Sequence, residues 1–206
     1  MNHLLTTIAR TFVAAATLCA AAATAHAQGV SGDVAAGQKK AEMCVGCHGI
    51  PGYQNSFPEI HKVPMISGQS AQYIVSSLKA YQKGERKHPS MRGIAGSLSE
   101  QDMADLGAFY ASHATTTAPE TPKAASAKVA ALIEKGACVS CHGANFSKPI
   151  DPSYPKLAGQ HSDYLYVALK SYTVEGNPYV GRSNGVMAGV ANQFKPSELK
   201  HIANYL

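Results

Sequence analysis

The chain has 206 residues, a formal net charge of +5 and 15% charged residues. This basic excess is small and no basic run accompanies it, so the composition does not indicate a nucleic-acid-binding protein. Beyond the N-terminal segment, no stretch is apolar enough to span a bilayer.

The first 27 residues have the pattern of an export signal. Arg10 precedes an alanine-rich apolar run over residues 12–25, and Ala-His-Ala at 25–27 fits the small-x-small cleavage rule. We therefore expect cleavage before Gln28 and a periplasmic protein. Two alternatives are an uncleaved anchor helix, for which the apolar run is short, and a lipid anchor on Cys19, whose preceding residues match a lipoprotein signal poorly.

A first helix is predicted to begin near residues 31–33 and to run into the sequence Cys-Val-Gly-Cys-His at 44–48. Two cysteines three apart, followed directly by histidine, are the attachment signature of c-type haem. Each thiol adds across one vinyl group of the haem, and the histidine supplies an axial iron ligand. Cys44 and Cys47 are therefore candidate attachment residues, and His48 is a candidate iron ligand.

A second helix is predicted over about residues 70–83, and a polar, turn-rich loop follows it. The loop contains Met91, whose apolar side chain has no helical stripe to explain it. A thioether is a soft ligand that raises the reduction potential of haem iron, so Met91 is the candidate ligand opposite His48. The alternative is that Met91 packs against a haem edge without binding the iron.

The third helix is predicted to open at Ser99, with Asp102 at the acidic position of a capping box. Its apolar periodicity turns Met103, Leu106 and Tyr110 inward. Met103 is therefore interpreted as core filler, as is a second methionine, Met43. Met65 is a weaker candidate for the iron because a lysine, Lys156, stands at its position in the repeat described next.

Residues 113–126 have a linker composition, low in large apolar side chains and interrupted by two prolines. The sequence on either side of them repeats, which indicates two similar domains. The predicted organisation is a signal peptide over 1–27, a first domain over 28–112, the linker over 113–126 and a second domain over 127–206. Each domain is small for a self-sufficient core, so we expect haem to supply apolar mass at its centre.

The second repeat contains Cys-Val-Ser-Cys-His at 138–142 and a polar loop around Met187. By the same argument, Cys138 and Cys141 are candidate attachment residues and His142 and Met187 are candidate iron ligands. Helices are predicted to begin near residue 126, to span about 162–174 and to begin again at 196–197. No stretch alternates with period two, so the predicted fold class is all-α. Because the last helix stops early relative to its counterpart in the first repeat, we expect a few residues to follow Leu206 in the complete protein.

Other uses of the cysteine pairs fit less well. A zinc site would bring the two pairs together, but they lie far apart in the chain, and a thiol redox pair does not require the following histidine. Because Cys19 lies in the expected signal peptide, the four remaining cysteines all belong to the two motifs. No thiol is left for a disulfide, and covalent attachment of two haem c groups is the preferred interpretation.

Histidines outside the motifs could compete as iron ligands, but none of them occupies a matching position in both repeats. They are His61, His88, His161 and His201. Pro64 and Pro155, in contrast, do match between the repeats. Their backbone carbonyls are candidate acceptors for the N–H of the proximal imidazole, which would set its orientation and donor strength.

The order of these motifs resembles the cytochrome c4 family, and the resemblance covers both repeats. It rests on Cys-x-x-Cys-His-Gly, then Pro-x-Leu-Ala-Gly-Gln, a helix ending near Gly-x-Arg, a methionine and an Asp-x-x-x-Leu helix. The resemblance implies two class I cytochrome c domains related by a pseudo-twofold axis, with their haems near one another. It also implies axial ligation by His48 with Met91 and by His142 with Met187. Cytochrome subunits of flavin-containing sulfide dehydrogenases look similar.

The expected function is that of a one-electron carrier and not an enzyme, since two six-coordinate irons leave no site for a small-molecule substrate. The expected partners are a membrane quinol-oxidising complex and a terminal oxidase, with peripheral contact to the membrane allowed. The alternative is a cytochrome subunit of a periplasmic dehydrogenase. A third interpretation, a two-haem peroxidase, needs one iron with an open coordination position.

Overall fold

The computed structural model describes residues 30–114, here called the first half, and residues 124–206, the second half. The expected signal peptide and most of the expected linker lie outside these ranges. Within them, about half of the residues are helical and the strands have only two residues each, so the all-α prediction is confirmed. None of the described helices combines the length and apolarity needed to cross a membrane.

The first half contains helices and two-residue strands in the following order: α1 (Val34–Lys40), α2 (Glu42–His48), β1 (Gln54–Asn55), β2 (His61–Lys62), α3 (Ala71–Lys83), β3 (Arg86–Lys87), α4 (Pro89–Gly96) and α5 (Glu100–Ser112). The second half repeats most of this order: α6 (Ala127–Lys135), α7 (Cys138–His142), α8 (Ser162–Ser171), β4 (Gly181–Arg182), α9 (Gly185–Ala191) and α10 (Pro196–Tyr205).

Local capping explains where several helices begin. The Asp33 carboxylate accepts the N–H of Ala36 at 2.6 Å and starts α1. At the start of α5, the Ser99 hydroxyl accepts the N–H of Asp102, whose carboxylate accepts the N–H of Ser99 in return. The predicted capping box is therefore confirmed. Pro196 occupies the first position of α10, where its missing N–H leaves no unpaired donor.

Two boundaries differ from the prediction. The first helix was expected to be continuous into its cysteine motif, but it is divided at Ala41 into α1 and α2. In the second half the division is sharper, because Ala137 has a φ of 49°, in the left-handed region. A left-handed residue cannot continue a right-handed helix, so α7 begins anew at its first cysteine.

Each half has its own apolar core. In the first half it consists of Ala41, Ile74, Leu98, Met103, Leu106 and Tyr110, and in the second of Leu132, Ile133, Phe146, Phe194, Leu199 and Ile202. The inward stripe predicted for α5 is thereby confirmed, including Met103 as core filler. The same prediction for Met43 is wrong, because its side chain is 51% exposed.

Helix α1 crosses α5 at unusually close range. A Cβ atom added at Gly37 would overlap the backbone carbonyl of Asp105 and the side chain of Phe109. Glycine is therefore needed for the close approach of the two backbones rather than for a special φ. An ion pair reinforces the crossing, since the ammonium of Lys40 contacts Asp102 at 2.7 Å and the buried Asp105 at 2.5 Å.

The two halves are in direct contact and belong to one compact unit over residues 32–206. Strand β3 pairs antiparallel with β4, and in this pairing Arg86 lies opposite Arg182, its counterpart in the repeat. Equivalent residues that face each other are the pattern of a twofold-related interface. The pseudo-twofold relationship implied by the sequence resemblance therefore has a local counterpart in the structure.

Candidate haem-binding sites

The first cysteine motif lies on α2. Positions i, i+3 and i+4 of a helix share one face, so Cys44, Cys47 and His48 project from the same side. Neither cysteine is in a disulfide, and Cys44 is partly buried while Cys47 is exposed. Helical geometry thus places two thiols and an imidazole where one planar group could meet all three.

The second motif has the same spacing on the short helix α7, which carries Cys138, Cys141 and His142 on one face. Neither of these cysteines is in a disulfide either. Burial raises the pKa of the Cys138 thiol, as it does that of the Cys44 thiol in the first half. Each motif therefore has its first cysteine in partly apolar surroundings.

The motif histidines are both oriented by a proline carbonyl. Nδ1 of His48 lies 2.8 Å from the backbone oxygen of Pro64, and Nδ1 of His142 lies 3.0 Å from that of Pro155. A carbonyl oxygen can only accept, so Nδ1 carries the proton and Nε2 keeps its lone pair. The predicted role of the two prolines as acceptors is confirmed.

Burial also keeps these imidazoles neutral. It lowers the pKa of both His48 and His142, against a smaller opposing effect of the hydrogen bond to the proline carbonyl. A neutral imidazole with a free Nε2 lone pair is the form that binds a metal. The chain therefore holds both rings in the required tautomer and charge state.

A cavity in the second half brings His142 and Met187 together, with Cys138 also at its wall. The rest of the lining is apolar: Leu157, Leu169, Val190, Ala191, Phe194, Leu199, Ile202 and Leu206. His142 and Met187 are far apart in the chain, and the sequence predicts that both bind the same iron. An apolar chamber with an imidazole and a thioether in its walls matches the donor set and the polarity of a haem c site.

The two candidate methionines do not lie in loops, contrary to the prediction. Met91 is the third residue of α4 and Met187 is the third residue of α9. The residue before each helix caps it: Nδ1 of His88 lies 3.4 Å from the N–H of Met91, and Oδ1 of Asn184 accepts the N–H of Met187 at 2.9 Å.

Sequence reasoning missed these helices because both are short and rich in glycine, which lowers helix propensity. The signal that could have found them is the capping residue itself. Asn184 is a favoured N-cap type, and at the same place in the first half His88 is followed by a proline at the first helical position. The caps hold the backbone amides of Met91 and Met187 in place.

Three of the four competing histidines have side-chain contacts of their own. Nδ1 of the buried His61 lies 2.8 Å from the backbone oxygen of Glu59, and its ring stacks on Tyr164. Nε2 of His88 lies 3.0 Å from the Asn55 amide, and that of the exposed His201 lies 3.0 Å from the Lys128 ammonium. No cluster of three or more metal-ligating histidines, cysteines or carboxylates occurs among the described residues.

Two arginines lie at the contact between the halves. Arg86 donates to the Tyr73 hydroxyl and Arg182 to the Tyr164 hydroxyl, each at 3.0 Å. Both guanidinium groups also lie against tyrosine rings, Tyr81 for Arg86 and Tyr172 for Arg182. The ion pairs found in the described part of the chain include neither arginine.

Two neighbouring guanidinium groups are costly to bury even in part without carboxylates, and their planar donors match carboxylate geometry. The propionates of haem are carboxylates, so this arginine pair fits the polar edge of the cofactor, as the thiols and imidazoles fit its ring and iron.

Comparison with known proteins identifies the family. The cytochrome c family model matches residues 34–114 and 126–206. Cytochrome c4 of Thiocapsa roseopersicina is 33% identical over 188 residues, covering 85% of this chain and 92% of that protein. The thiosulfate dehydrogenase electron acceptor of Stutzerimonas stutzeri is 29% identical, covering 80% of this chain and 78% of that protein. Among solved structures, reduced cytochrome c4 from Pseudomonas stutzeri aligns with a TM-score of 0.62 at 25% identity, covering 85% of this chain and 97% of that one.

These matches agree with the repeat, with the two cysteine motifs and with the oriented imidazoles. They extend over both halves rather than over one of them. The chain belongs to the cytochrome c4 family, and it is an electron carrier, not an enzyme, with two covalently bound haem c groups.

Proposed function

We propose that this protein carries single electrons in the periplasm, from a membrane quinol-oxidising complex to a terminal oxidase. In this proposal Cys44 and Cys47 would hold one haem, and His48 and Met91 would bind its iron. Cys138 and Cys141 would hold the other haem, and His142 and Met187 would bind its iron. The observation that carries the assignment is the apolar cavity that His142 and Met187 share.

The chain's own residues set the properties of each centre. The proline carbonyls fix the imidazole planes and increase the electron donation from Nε2. The capped helices α4 and α9 hold the methionine backbones, and the apolar walls exclude water. Bound haem c supplies reversible one-electron chemistry at iron, with methionine ligation favouring a higher potential.

Two protein ligands on each iron leave no coordination position for a substrate, which supports outer-sphere transfer to partner proteins. Such redox encounters use small, weak interfaces, so that the partners separate quickly after each transfer. Arg86 and Arg182 would hold the haem propionates where the halves meet, because both side chains are half-buried there and the ion pairs of the described residues include neither of them.

The second candidate is that a periplasmic dehydrogenase is the electron donor. The similarity to the thiosulfate dehydrogenase electron acceptor of Stutzerimonas stutzeri favours it, since that protein's name describes such a role. The chemistry within the chain is the same in both proposals. They differ in whether the donor lies in the membrane or is a separate enzyme.

The two donors can be compared directly by stopped-flow spectroscopy. Oxidised holoprotein is mixed with membranes supplied with a quinol, or with a periplasmic dehydrogenase supplied with its substrate, and haem reduction is followed. Rapid reduction by membranes, followed by rapid reoxidation by the membrane oxidase, supports the respiratory shuttle. Reduction only by the dehydrogenase would replace the first proposal with the second.

A further inference from the structure

Two glutamines connect the halves through a reciprocal set of hydrogen bonds. The Gln160 side chain accepts the N–H of Met65 at 3.0 Å and donates to the carbonyl of Met65 at 2.8 Å. In the opposite direction, the Gln69 side chain accepts the N–H of Lys156 and donates to its carbonyl, each at 3.0 Å. Gln69 and Gln160 are counterparts in the repeat, as are Met65 and Lys156.

These hydrogen bonds end on the peptide groups that orient the motif histidines. The carbonyl of Pro64 and the N–H of Met65 belong to one peptide unit. Its oxygen accepts from Nδ1 of His48 at 2.8 Å, while its N–H donates to Oε1 of Gln160 at 3.0 Å. The peptide unit between Pro155 and Lys156 connects Nδ1 of His142 to Oε1 of Gln69 in the same way.

Hydrogen bonds in a chain polarise one another. A peptide whose N–H donates has a more electron-rich oxygen, and this oxygen accepts more strongly from the imidazole N–H. A stronger bond at Nδ1 makes Nε2 a better electron donor to a metal. A glutamine on one half is therefore placed to change the donor strength of the imidazole on the other half.

The backbone around each glutamine holds it in this position. Gly68 and Gly159, which precede the two glutamines, both have a φ of 78°, a left-handed conformation suited to glycine. The Gln69 oxygen also accepts the N–H of Ser70, and the Gln160 oxygen that of His161, each at 3.0 Å. Each side-chain oxygen thus receives two N–H donors, one from its own half and one from the other.

We propose that Gln69 and Gln160 are positioning residues that set the reduction potential of the haem in the opposite half. Gln160 acts on the first-half haem through the Pro64–Met65 peptide, and Gln69 on the second-half haem through the Pro155–Lys156 peptide. The inference rests on the proposed function only in taking His48 and His142 as the iron ligands. It makes the potential of each centre depend on contact between the halves.

The test is a redox titration of the Gln160→Leu holoprotein. Removing Oε1 weakens the Pro64 acceptor and hence the donation from His48, so ferric iron loses stabilisation. We expect the reduced-to-oxidised ratio of the first-half haem to rise about threefold at fixed potential, roughly 28 mV for a one-electron couple. The second-half haem should keep its potential. Gln69→Leu should instead raise the potential of the second-half haem and leave that of the first-half haem unchanged. NMR resonances of Met91 and Met187 assign each step to its haem.

Ser70→Ala is a matched control. The Ser70 hydroxyl donates across the interface to the carbonyl of Pro152 at 2.5 Å, and it does not cap α3. The change removes a neutral contact between the halves without altering either proline peptide. We expect both potentials to stay unchanged.

The outcomes separate this inference from the proposed ligand set. Suppose that the unmodified protein has its methionine-to-iron charge-transfer bands. If Gln160→Leu then shifts the potentials of both haems equally, that of the second-half haem alone, or neither, the inference is wrong and the ligand assignment stands. Gln160→Met, which keeps the side-chain length, repeats the measurement if Gln160→Leu does not accumulate. Absence of those bands from the unmodified protein would instead remove the ligand assignment.

Discussion

At the scale of single residues, the chain prepares its imidazoles for a metal through the backbone. In both halves Nδ1 of the motif histidine donates to a proline carbonyl, and burial keeps the ring neutral. The motif residues alone do not specify this, because a histidine can expose either nitrogen. The acceptor comes from a proline farther along the chain, which the fold brings beneath the ring.

Met187→Ala tests the axial ligand directly. We expect loss of the methionine-to-ferric-iron charge-transfer band of the second-half haem, and a fall of its potential by roughly 60 mV or more, a tenfold change in the one-electron equilibrium. Absorption and redox titration of the oxidised protein measure both. Met65→Leu is the control, because it removes another exposed methionine and leaves Met187 in place. A band of full strength in Met187→Ala would show that another residue binds the iron.

Asn184→Ala tests the cap that holds Met187. The side chain of Asn184 accepts the N–H of Met187 at 2.9 Å, and removing such a cap typically costs about 1 kcal/mol. We expect the charge-transfer band of the second-half haem to disappear at a lower temperature while the first-half band is unchanged. Asn192→Ala, at the other end of α9, is the control. Equal melting of the band in both variants would contradict the role of the cap.

At the scale of elements, the crossing of α1 with α5 depends on one missing side chain. A Cβ atom at Gly37 would overlap the Asp105 carbonyl, and backbone cannot yield as a flexible side chain can. We expect Gly37→Ala to lower the free energy of unfolding by about 1–3 kcal/mol, the usual cost of overpacking. Denaturant unfolding followed by circular dichroism measures it.

The control for this prediction is Gly96→Ala at the end of α4, where an added Cβ atom meets nothing within 4 Å. Alanine favours helix over glycine, so this variant should be as stable as the parent or slightly more so. If Gly37→Ala has the same free energy of unfolding as Gly96→Ala, then the packing of α1 on α5 does not need the close approach of their backbones.

The same crossing predicts a pH dependence. The N–H of Asp33, the Lys40 ammonium and the Gln101 amide together lower the pKa of Asp105 to about 2. A depressed carboxyl pKa stabilises the fold above the unfolded value, 3.8, and this contribution is lost as the pH falls through the folded value. Asp105→Asn should therefore lower the melting temperature at pH 5 and have a much smaller effect near pH 2.

Thermal unfolding of both proteins between pH 5 and pH 2 measures this difference, with the exposed Glu134→Gln as a control. If the melting temperatures of Asp105→Asn and the parent differ by the same amount at both pH values, the shape of Asp105, and not its charge, stabilises the fold.

At the scale of the whole molecule, the two halves share charged and polar contacts rather than a common apolar core. The apolar clusters are separate, one in each half. Between the halves lie the paired strands β3 and β4, the glutamine contacts and the ion pairs of Glu59 with Lys170 and Lys62 with Asp163. Contacts of this kind can transmit a change in one half to the other without joining their cores.

Export is a prediction about residues 1–27, which lie outside the described residues. Because thioether attachment in bacteria is expected outside the inner membrane, a variant lacking residues 1–27 should accumulate in the cytoplasm without haem. The full chain should yield two covalent haems per protein when denatured and reduced in pyridine. One haem per full chain would contradict the duplication, and two in the truncated variant would contradict the need for export.

The sequence by itself determined the repeat, the haem motifs, the all-α class and the helices whose caps and apolar stripes are local. Ser99 with Asp102 is such a case, because both partners of the capping box lie within one turn. It also predicts that His142 and Met187 belong to one centre, since a motif histidine and a repeated methionine can be compared between the halves.

The tertiary structure decided the rest because the deciding contacts join residues far apart in the chain. The helices around Met91 and Met187 are too short and too rich in glycine to form from propensity, and they are held by packing and by their caps. The contacts of Gln69 and Gln160 with the opposite half depend on how two separate folds meet. No local pattern encodes that arrangement, since each glutamine's partner is a backbone group that every residue type supplies.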